Sequence, residues 1–387
     1  MPFEPPTSGA PGPTAAADEQ RPGGNRPAKA RAANHRIGKY KITRRLHKGR
    51  VSHVMLGTIT GIGGIERQVA IKLLQSRYAH EQRFMDSFLH EERVTGVIQH
   101  PNLVQMLDSG ECEYGYYMAM EYIKGCSLAD LMRAAQSSSQ PVPVGVALSI
   151  AYSVAAGLHY LHELLGGRES RIRVVHRDVH PGNVMITENG FVKLIDLGDV
   201  AIEGMEREMP ALLSSVSNYT PPELTTRGNV DRRGDIFSLG VLLYELTTGH
   251  PVQRTDSGEF IPPSALCPDY PADLEDLVLR MIHPDPDGRL QSAATLQFAF
   301  EDMAASYGTP LSPRLVAQFV RKVMERRNEQ RGEPRNDRRH DQRVEQHDEP
   351  RGAAQGDLVA QAASVRGDRA SFWPALSTLD QTDVLVR

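Results

Sequence analysis

Between about Tyr40 and Met303 the spacing of apolar positions changes period part-way along the chain. Short β-rich runs come first, at Tyr40–Leu46, Val54–Thr60 and Gln68–Leu74, separated by glycine-containing turns such as Gly61-Ile62-Gly63-Gly64. Phe84–Ile98 instead spaces Phe88, Val94, Val97 and Ile98 at helical intervals, and Val104–Ser109 and Tyr116–Tyr122 return to strand. From Leu128 onward helices dominate: Leu128–Ala135, Val144–Leu165, Asp235–Thr248 and Ala272–Met281. Within the second of these, Leu148, Ala151, Val154, Ala155, Leu158 and Leu161 share one face and predict core. Strands followed by helices imply an α+β arrangement of two packed lobes, a small β-rich one and a larger helical one, with a ligand cleft between them.

The ends of the chain depart from this pattern. Residues 1–36 are rich in Pro, Gly and Ala with almost no large apolar side chains, too few to offset the entropy of ordering, and predict a disordered tail. Arg321–Arg351 carries ten basic and eight acidic residues. Such near-cancelling charge reads as a solvated linker rather than an RNA-binding arm. Residues 329–387 form that linker and a weakly ordered tail holding the lone tryptophan, Trp373; Ser371-Phe372-Trp373-Pro374-Ala375-Leu376 is a candidate docking segment for a partner. No internal repeat is visible.

Charge and cysteine content narrow the function classes. A net charge of -4 over 387 residues excludes a strongly basic nucleic-acid binder and offers no polybasic membrane signal. The most apolar long stretch, Val144–Leu165, is interrupted by Ser149, Ser153, His159, His162 and Glu163, so no membrane span is expected. Cys112, Cys126 and Cys267 are odd in number and far apart, which suits a reducing compartment. Met1-Pro2-Phe3-Glu4 has no secretory character, and a cytoplasmic location is the expectation. The histidines at 159 and 162, and those between 80 and 100, lack ligand spacing and read as solvated or capping.

Two segments carry chemistry. His176-Arg177-Asp178-Val179-His180-Pro181-Gly182-Asn183 and, further on, Val192-Lys193-Leu194-Ile195-Asp196-Leu197-Gly198 place two carboxylates and one carboxamide on loops beside short apolar strands. Phosphoryl transfer needs such a set: one carboxylate to position a hydroxyl and take its proton, another with an amide oxygen to hold a divalent cation.

With these residues the chain resembles eukaryotic-like protein serine/threonine kinases in their bacterial form. Val69-Ala70-Ile71-Lys72 is similar to the strand bearing the phosphate-binding lysine, and Glu91 falls at the lysine-pairing glutamate. Met120-Glu121-Tyr122-Ile123 resembles the gatekeeper and adenine-binding hinge. Pro221-Pro222-Glu223 resembles the end of the activation segment, Asp235-Ile236-Phe237-Ser238-Leu239-Gly240 the buried helix beneath the catalytic loop, and Arg289 the arginine that pairs with Glu223. His-Arg-Asp-Val-x-Pro-x-Asn together with Leu311-Ser312-Pro313 resembles the subgroup found in social soil bacteria of the myxobacterial type.

The resemblance implies a kinase domain over 37–305, with an N-lobe to about 122 and a C-lobe from about 123, then a helical extension over 306–328. It implies ATP with Mg²⁺ or Mn²⁺, and a protein substrate. Asp178, Lys72 and Asn183 would be catalytic, with Asn183 and Asp196 on the metal. Leu46, Gly49, Val54, Ala70, Lys72, Glu91, Met120, Glu121 and Ile123 would hold the nucleotide. Glu223, Asp235 and Arg289 would be structural. Arg177 resembles the arginine that receives an activation-segment phosphate, on Ser214, Ser215 or Ser217 before Thr220, Thr225 or Thr226.

Three departures from the family pattern stand out. The nucleotide loop, Leu46 to Val54, keeps only its middle glycine, Gly49, with His47 and Ser52 at the other two positions. His180 replaces the lysine usual two residues after the catalytic aspartate. Ser215-Val216 stands where a Gly-Thr pair is usual. Two readings follow: an ATP-dependent protein kinase, and a pseudokinase acting as a binding or allosteric scaffold.

Overall fold

A computed structural model describes residues 36–164, 173–198, 200–202, 217–227, 230–255 and 259–330. The tails, the sites at Ser214 and Ser215, Ser215-Val216 and the Trp373 segment lie outside the described residues.

The first part of the described chain is a six-stranded antiparallel sheet with one helix. The strands are β1 (Arg36–Ile37), β2 (Tyr40–Lys48), β3 (Ser52–Thr60) and β4 (Glu66–Leu74), then β5 (Met106–Cys112) and β6 (Gly115–Glu121), in spatial order β1-β2-β3-β4-β6-β5. Helix α1 (Gln82–Val97) lies between β4 and β5 in sequence. Strand alternation divides the side chains of β4. Val69 and Ile71 are buried in a cluster with Ile37, Tyr40, Tyr117 and Ala119, whereas Ala70, Lys72 and Leu74 line the cleft below. Helix α1 buries Phe84, Phe88, Glu91, Val94 and Thr95, a stripe at helical spacing that turns Glu91 inward.

The second part is mainly helical. It runs β7 (Gly125–Ser127), α2 (Leu128–Ser137), α3 (Val144–His162), β8 (Val174–Val175), β9 (Val184–Thr187), β10 (Val192–Leu194) and β11 (Ala201–Ile202). Then follow α4 (Pro222–Arg227), α5 (Arg232–Thr248), α6 (Ala272–Met281), α7 (Ala293–Ser306) and α8 (Pro313–Gln330). Helices α3 and α5 supply much of the core cluster. Fourteen of the seventeen α5 residues are buried, which is why its sequence shows no polar face. It begins three residues before the expected Asp235, because Asp231 caps it by accepting from the Arg233 amide at 2.8 Å. By length and composition α3 could cross a membrane, but 67% of its apolar window is buried inside the protein, as suits a core helix.

Helix α8 covers the back of this lobe with Val316, Ala317, Phe319, Val320 and Val323 buried. The β9–β10 turn receives it closely. Gly190 has φ +83, and a Cβ there would stand 1.8 Å from the Pro313 carbonyl oxygen. Only glycine suits both the left-handed backbone and the contact.

Candidate active site in the cleft between the lobes

Three short elements bring the polar groups together. The β4 alternation points Lys72 into the cleft, and the α1 stripe brings Glu91 to it. Lys72 Nζ donates to Glu91 Oε1 at 2.6 Å and Oε2 at 2.7 Å, and to Asp196 Oδ1 at 2.7 Å. All three ammonium protons are thereby used. Burial works to lower the Lys72 pKa, but the Asp196 and Glu91 carboxylates outweigh it and hold the ammonium well above its ordinary value. The same contact lowers Asp196, whose largest influence is the Lys72 charge, against burial.

The β9–β10 hairpin places Asn183 and Asp196 at the same end of one strand pair. Val184 pairs with Leu194, so the residues just outside these strands share one end of the hairpin. The Ile195 amide donates to the Asn183 carbonyl at 2.8 Å and closes that end. Asn183 Nδ2 in turn donates to Asp178 Oδ2 at 2.8 Å and to the Asp178 carbonyl at 3.0 Å.

His180 lies on the other side of Asp178. Its Nδ1 accepts from the Gly182 amide at 3.0 Å, which leaves the Nε2 proton facing Asp178 Oδ2 at 3.6 Å, longer than an ordinary hydrogen bond. Burial acts to raise the Asp178 carboxyl, but the His180 contact and the nearby His176 outweigh it and keep the group below the usual carboxylate range.

Two of these loops run through left-handed backbone at residues other than glycine: Arg177 at φ 67 and Asp196 at φ 62. Such positions cost roughly 1–3 kcal/mol and persist only where the surroundings fix them. Asp235, fully buried at the start of α5, does so for the first loop. It accepts from the His176 and Arg177 amides and from His162 Nε2, each at 2.8 Å. His162 is therefore a buried structural group at 2% exposure, not a solvated or capping one. Its helical spacing put it at the end of a core helix, but its partner, Asp235, lies 73 residues away in sequence, and no local signal gives that pairing.

The twelve residues singled out from the sequence all line one cavity of about 910 Å³: Leu46, Gly49, Val54, Ala70, Lys72, Glu91, Met120, Glu121, Ile123, Asp178, Asn183 and Asp196. The Glu121 side chain has a partner that spacing did not reveal. Lys193 Nζ donates to its Oε1 at 2.7 Å across the join of the lobes. Glu223 and Arg289 also meet, through two bonds of 2.7 and 2.8 Å.

A divalent cation fits the donor set. Asn183 commits its Nδ2 to Asp178, which leaves the carboxamide oxygen for a hard cation, and Asp196 supplies a carboxylate beside it. Among the described residues no group of three or more His, Cys, Asp or Glu could hold a metal alone. Two oxygen donors suit a cation that takes its remaining ligands from phosphate and water.

Residues 40–300 match the protein kinase domain family. The chain belongs to that family. It is 33% identical over 298 residues to the tyrosine-protein kinase MasK of Myxococcus xanthus, covering 73% of this chain and 46% of MasK. It is 30% identical over 270 residues to the serine/threonine-protein kinase PknB of Mycobacterium tuberculosis, covering 62% of this chain and 41% of PknB. The chain thus spans less than half the length of these curated relatives. The PknI kinase domain of Mycobacterium tuberculosis superposes with a TM-score of 0.55 at 27% identity, covering 71% of this chain and all of that one. The two-lobed architecture is the protein kinase fold, in a bacterial eukaryotic-like form.

Proposed function

We propose that this chain is an active, Mg-ATP-dependent protein kinase that phosphorylates serine or threonine hydroxyls in intracellular signalling. The observation that carries the proposal is the assembled constellation: Lys72 held between Glu91 and Asp196, with Asp178 and Asn183 bonded to each other in the same cavity. The substrate hydroxyl attacks the γ-phosphorus of ATP, the new O–P bond forms as the bond to ADP breaks, and Asp178 takes the hydroxyl proton. Its lowered pKa keeps it ionised at neutral pH, and Asn183 fixes its orientation. Lys72 holds the phosphates electrostatically while Glu91 keeps its ammonium in place. Asn183 and Asp196 would hold Mg²⁺, which when bound neutralises phosphate charge.

The serine/threonine assignment follows PknB; the name of MasK makes tyrosine the competing acceptor. A cytoplasmic location agrees with the need for ATP and with three free cysteines. Regulation by a phosphate on the activation segment, paired with Arg177, is part of the same reading, with Ser217 the preferred acceptor among the described residues, ahead of Thr220, Thr225 and Thr226. The pseudokinase alternative rests on the single glycine of the nucleotide loop, and the complete polar set weighs against it.

Labelled ATP with Mg²⁺ tests the proposal on wild type beside Asp178→Asn and Lys72→Ala. Label in the wild type alone supports it, and equal label in all three, or none, defeats it. Phosphoamino-acid analysis of the product decides between serine/threonine and tyrosine.

A further inference from the structure

The β2–β3 loop has a single glycine, and that glycine is committed to the turn itself. A Cβ on Gly49 would stand 2.7 Å from the Ser52 carbonyl oxygen. His47 and Ser52 occupy the places where further glycines would give the backbone freedom to shape itself around an anion. The loop tip is instead held from outside.

Gln75, the first residue beyond β4, donates Nε2 to the Gly49 carbonyl and to the Arg50 carbonyl, both at 2.9 Å. Both carboxamide hydrogens are used. Its backbone amide donates to the Val51 carbonyl at 3.0 Å, and Arg77 Nη2 adds a bond of 3.2 Å to the Arg50 carbonyl. Three successive carbonyls therefore point toward the end of β4.

In a planar trans peptide the N–H points opposite the C=O it shares a plane with. The Arg50 and Val51 amides are thus turned away from Gln75. Neither finds a backbone acceptor among the described residues. Gly49, Arg50 and Val51 line the same cavity as Lys72. Successive amides turned the same way form a concavity that binds anions.

We propose that Gln75 is a positioning residue for the nucleotide phosphates, its carboxamide fixing the loop so that the Arg50 and Val51 amides face them. This rests on the reading of the cleft as an ATP site. It assigns to one side chain outside the loop the shaping that further glycines would otherwise permit.

The test measures phosphate-dependent affinity. ATP and adenosine, each with Mg²⁺, are titrated calorimetrically into the full chain as wild type, Gln75→Met and Gln75→Glu, with thermal unfolding of each variant as a control. Both variants keep the length of the side chain and lose its donors. ATP affinity is expected to fall about tenfold while adenosine affinity stays within about twofold of wild type. Unchanged ATP affinity, or equal losses for ATP and adenosine, overturns the role of Gln75 and leaves the kinase reading intact. A wild type that binds neither ligand overturns both.

Discussion

The Glu223–Arg289 pair offers a perturbation whose size can be worked out from the structure. Arginine has five N–H donors, and in Arg289 all five are used. Nε donates to the His283 carbonyl at 2.7 Å; Nη1 donates to Glu223 Oε1 at 2.7 Å and the Arg233 carbonyl at 3.1 Å; Nη2 donates to Glu223 Oε2 at 2.8 Å and the Pro284 carbonyl at 3.0 Å. The Arg289 side chain is 0% exposed and that of Glu223 is 7% exposed, so water cannot replace either partner. Glu223→Gln keeps the shape but removes the charge and turns one N–H₂ toward the guanidinium. Breaking a buried pair in this way costs about 3–5 kcal/mol. For a domain of this size that lowers Tm by roughly 6–20 °C. Circular dichroism during thermal and urea unfolding follows the loss of both helix and sheet and reads both quantities. The double variant Glu223→Leu with Arg289→Met should lose less than the sum of its single changes, because neither charge is stranded. It should not recover fully, since three backbone carbonyls lose their donor. A Glu223→Gln loss below about 1 kcal/mol, or strict additivity in the cycle, would show that the pair carries no buried-charge penalty.

Three further outcomes follow from the same geometry. Lys72→Met removes the cation proposed to hold the phosphates and the charge that Glu91 and Asp196 share, so labelled-phosphate incorporation should fall at least a hundredfold; incorporation within tenfold of wild type would overturn that role. Asp178 is held below the usual carboxylate range, so the stabilisation from its ionised form is complete above about pH 4, the unfolded value, and is lost as pH falls through the lower folded value. Asp178→Asn should therefore flatten the acid side of the stability curve below about pH 4 and run parallel to wild type above it; a slope difference confined to higher pH, seen in urea midpoints, contradicts the assignment. Gly190→Ala places a Cβ against the Pro313 carbonyl and strains a positive φ, so it should destabilise by about 2 kcal/mol or more and expose α8 to protease; wild-type stability and protease resistance would mean that α8 docks by other contacts.

The legible parts of this protein were those with a local signal. The β-rich run Gln68–Leu74 predicted the strand, helical spacing predicted α3 as core, and only the likeness to the lysine-bearing strand, not alternation, placed Lys72 in the site. The motif segments drew attention to Asp178, Asn183 and Asp196 because each sits beside a short apolar strand. Pairings over long sequence separations were not legible from the residues alone. His162 and Asp235, Lys193 and Glu121, and Gln75 with the Gly49 and Arg50 carbonyls are joined only by folding. A histidine at the end of an apolar helix looks the same in a sequence whether it meets solvent or a buried carboxylate. Glutamine after a strand looks like an ordinary exit to a loop. The missing glycines were visible, but what holds the loop in their place was not.

The polar groups buried around α5 have a common physical logic. A helix buried nearly all round cannot move without opening the core, so anything bonded to it is fixed. Asp235 holds the backbone of His176 and Arg177, next to Asp178. Ser238 Oγ donates to the Tyr219 carbonyl at 2.7 Å, and the Tyr219 hydroxyl donates to Glu245 on the same helix. Burial raises the Glu245 carboxyl, although the bonds from Tyr219 and from the Val252 amide oppose it. Arg289 adds a bond to the Arg233 carbonyl at the first turn and holds Glu223 at the start of α4. The loop bearing Asp178 and the chain from Tyr219 to Glu223 are therefore anchored to one rigid post by separate contacts. The proposed control by a phosphate on the activation segment would leave Asp178 anchored in this way, because the contacts to Asp235 hold the backbone beside it independently of that segment.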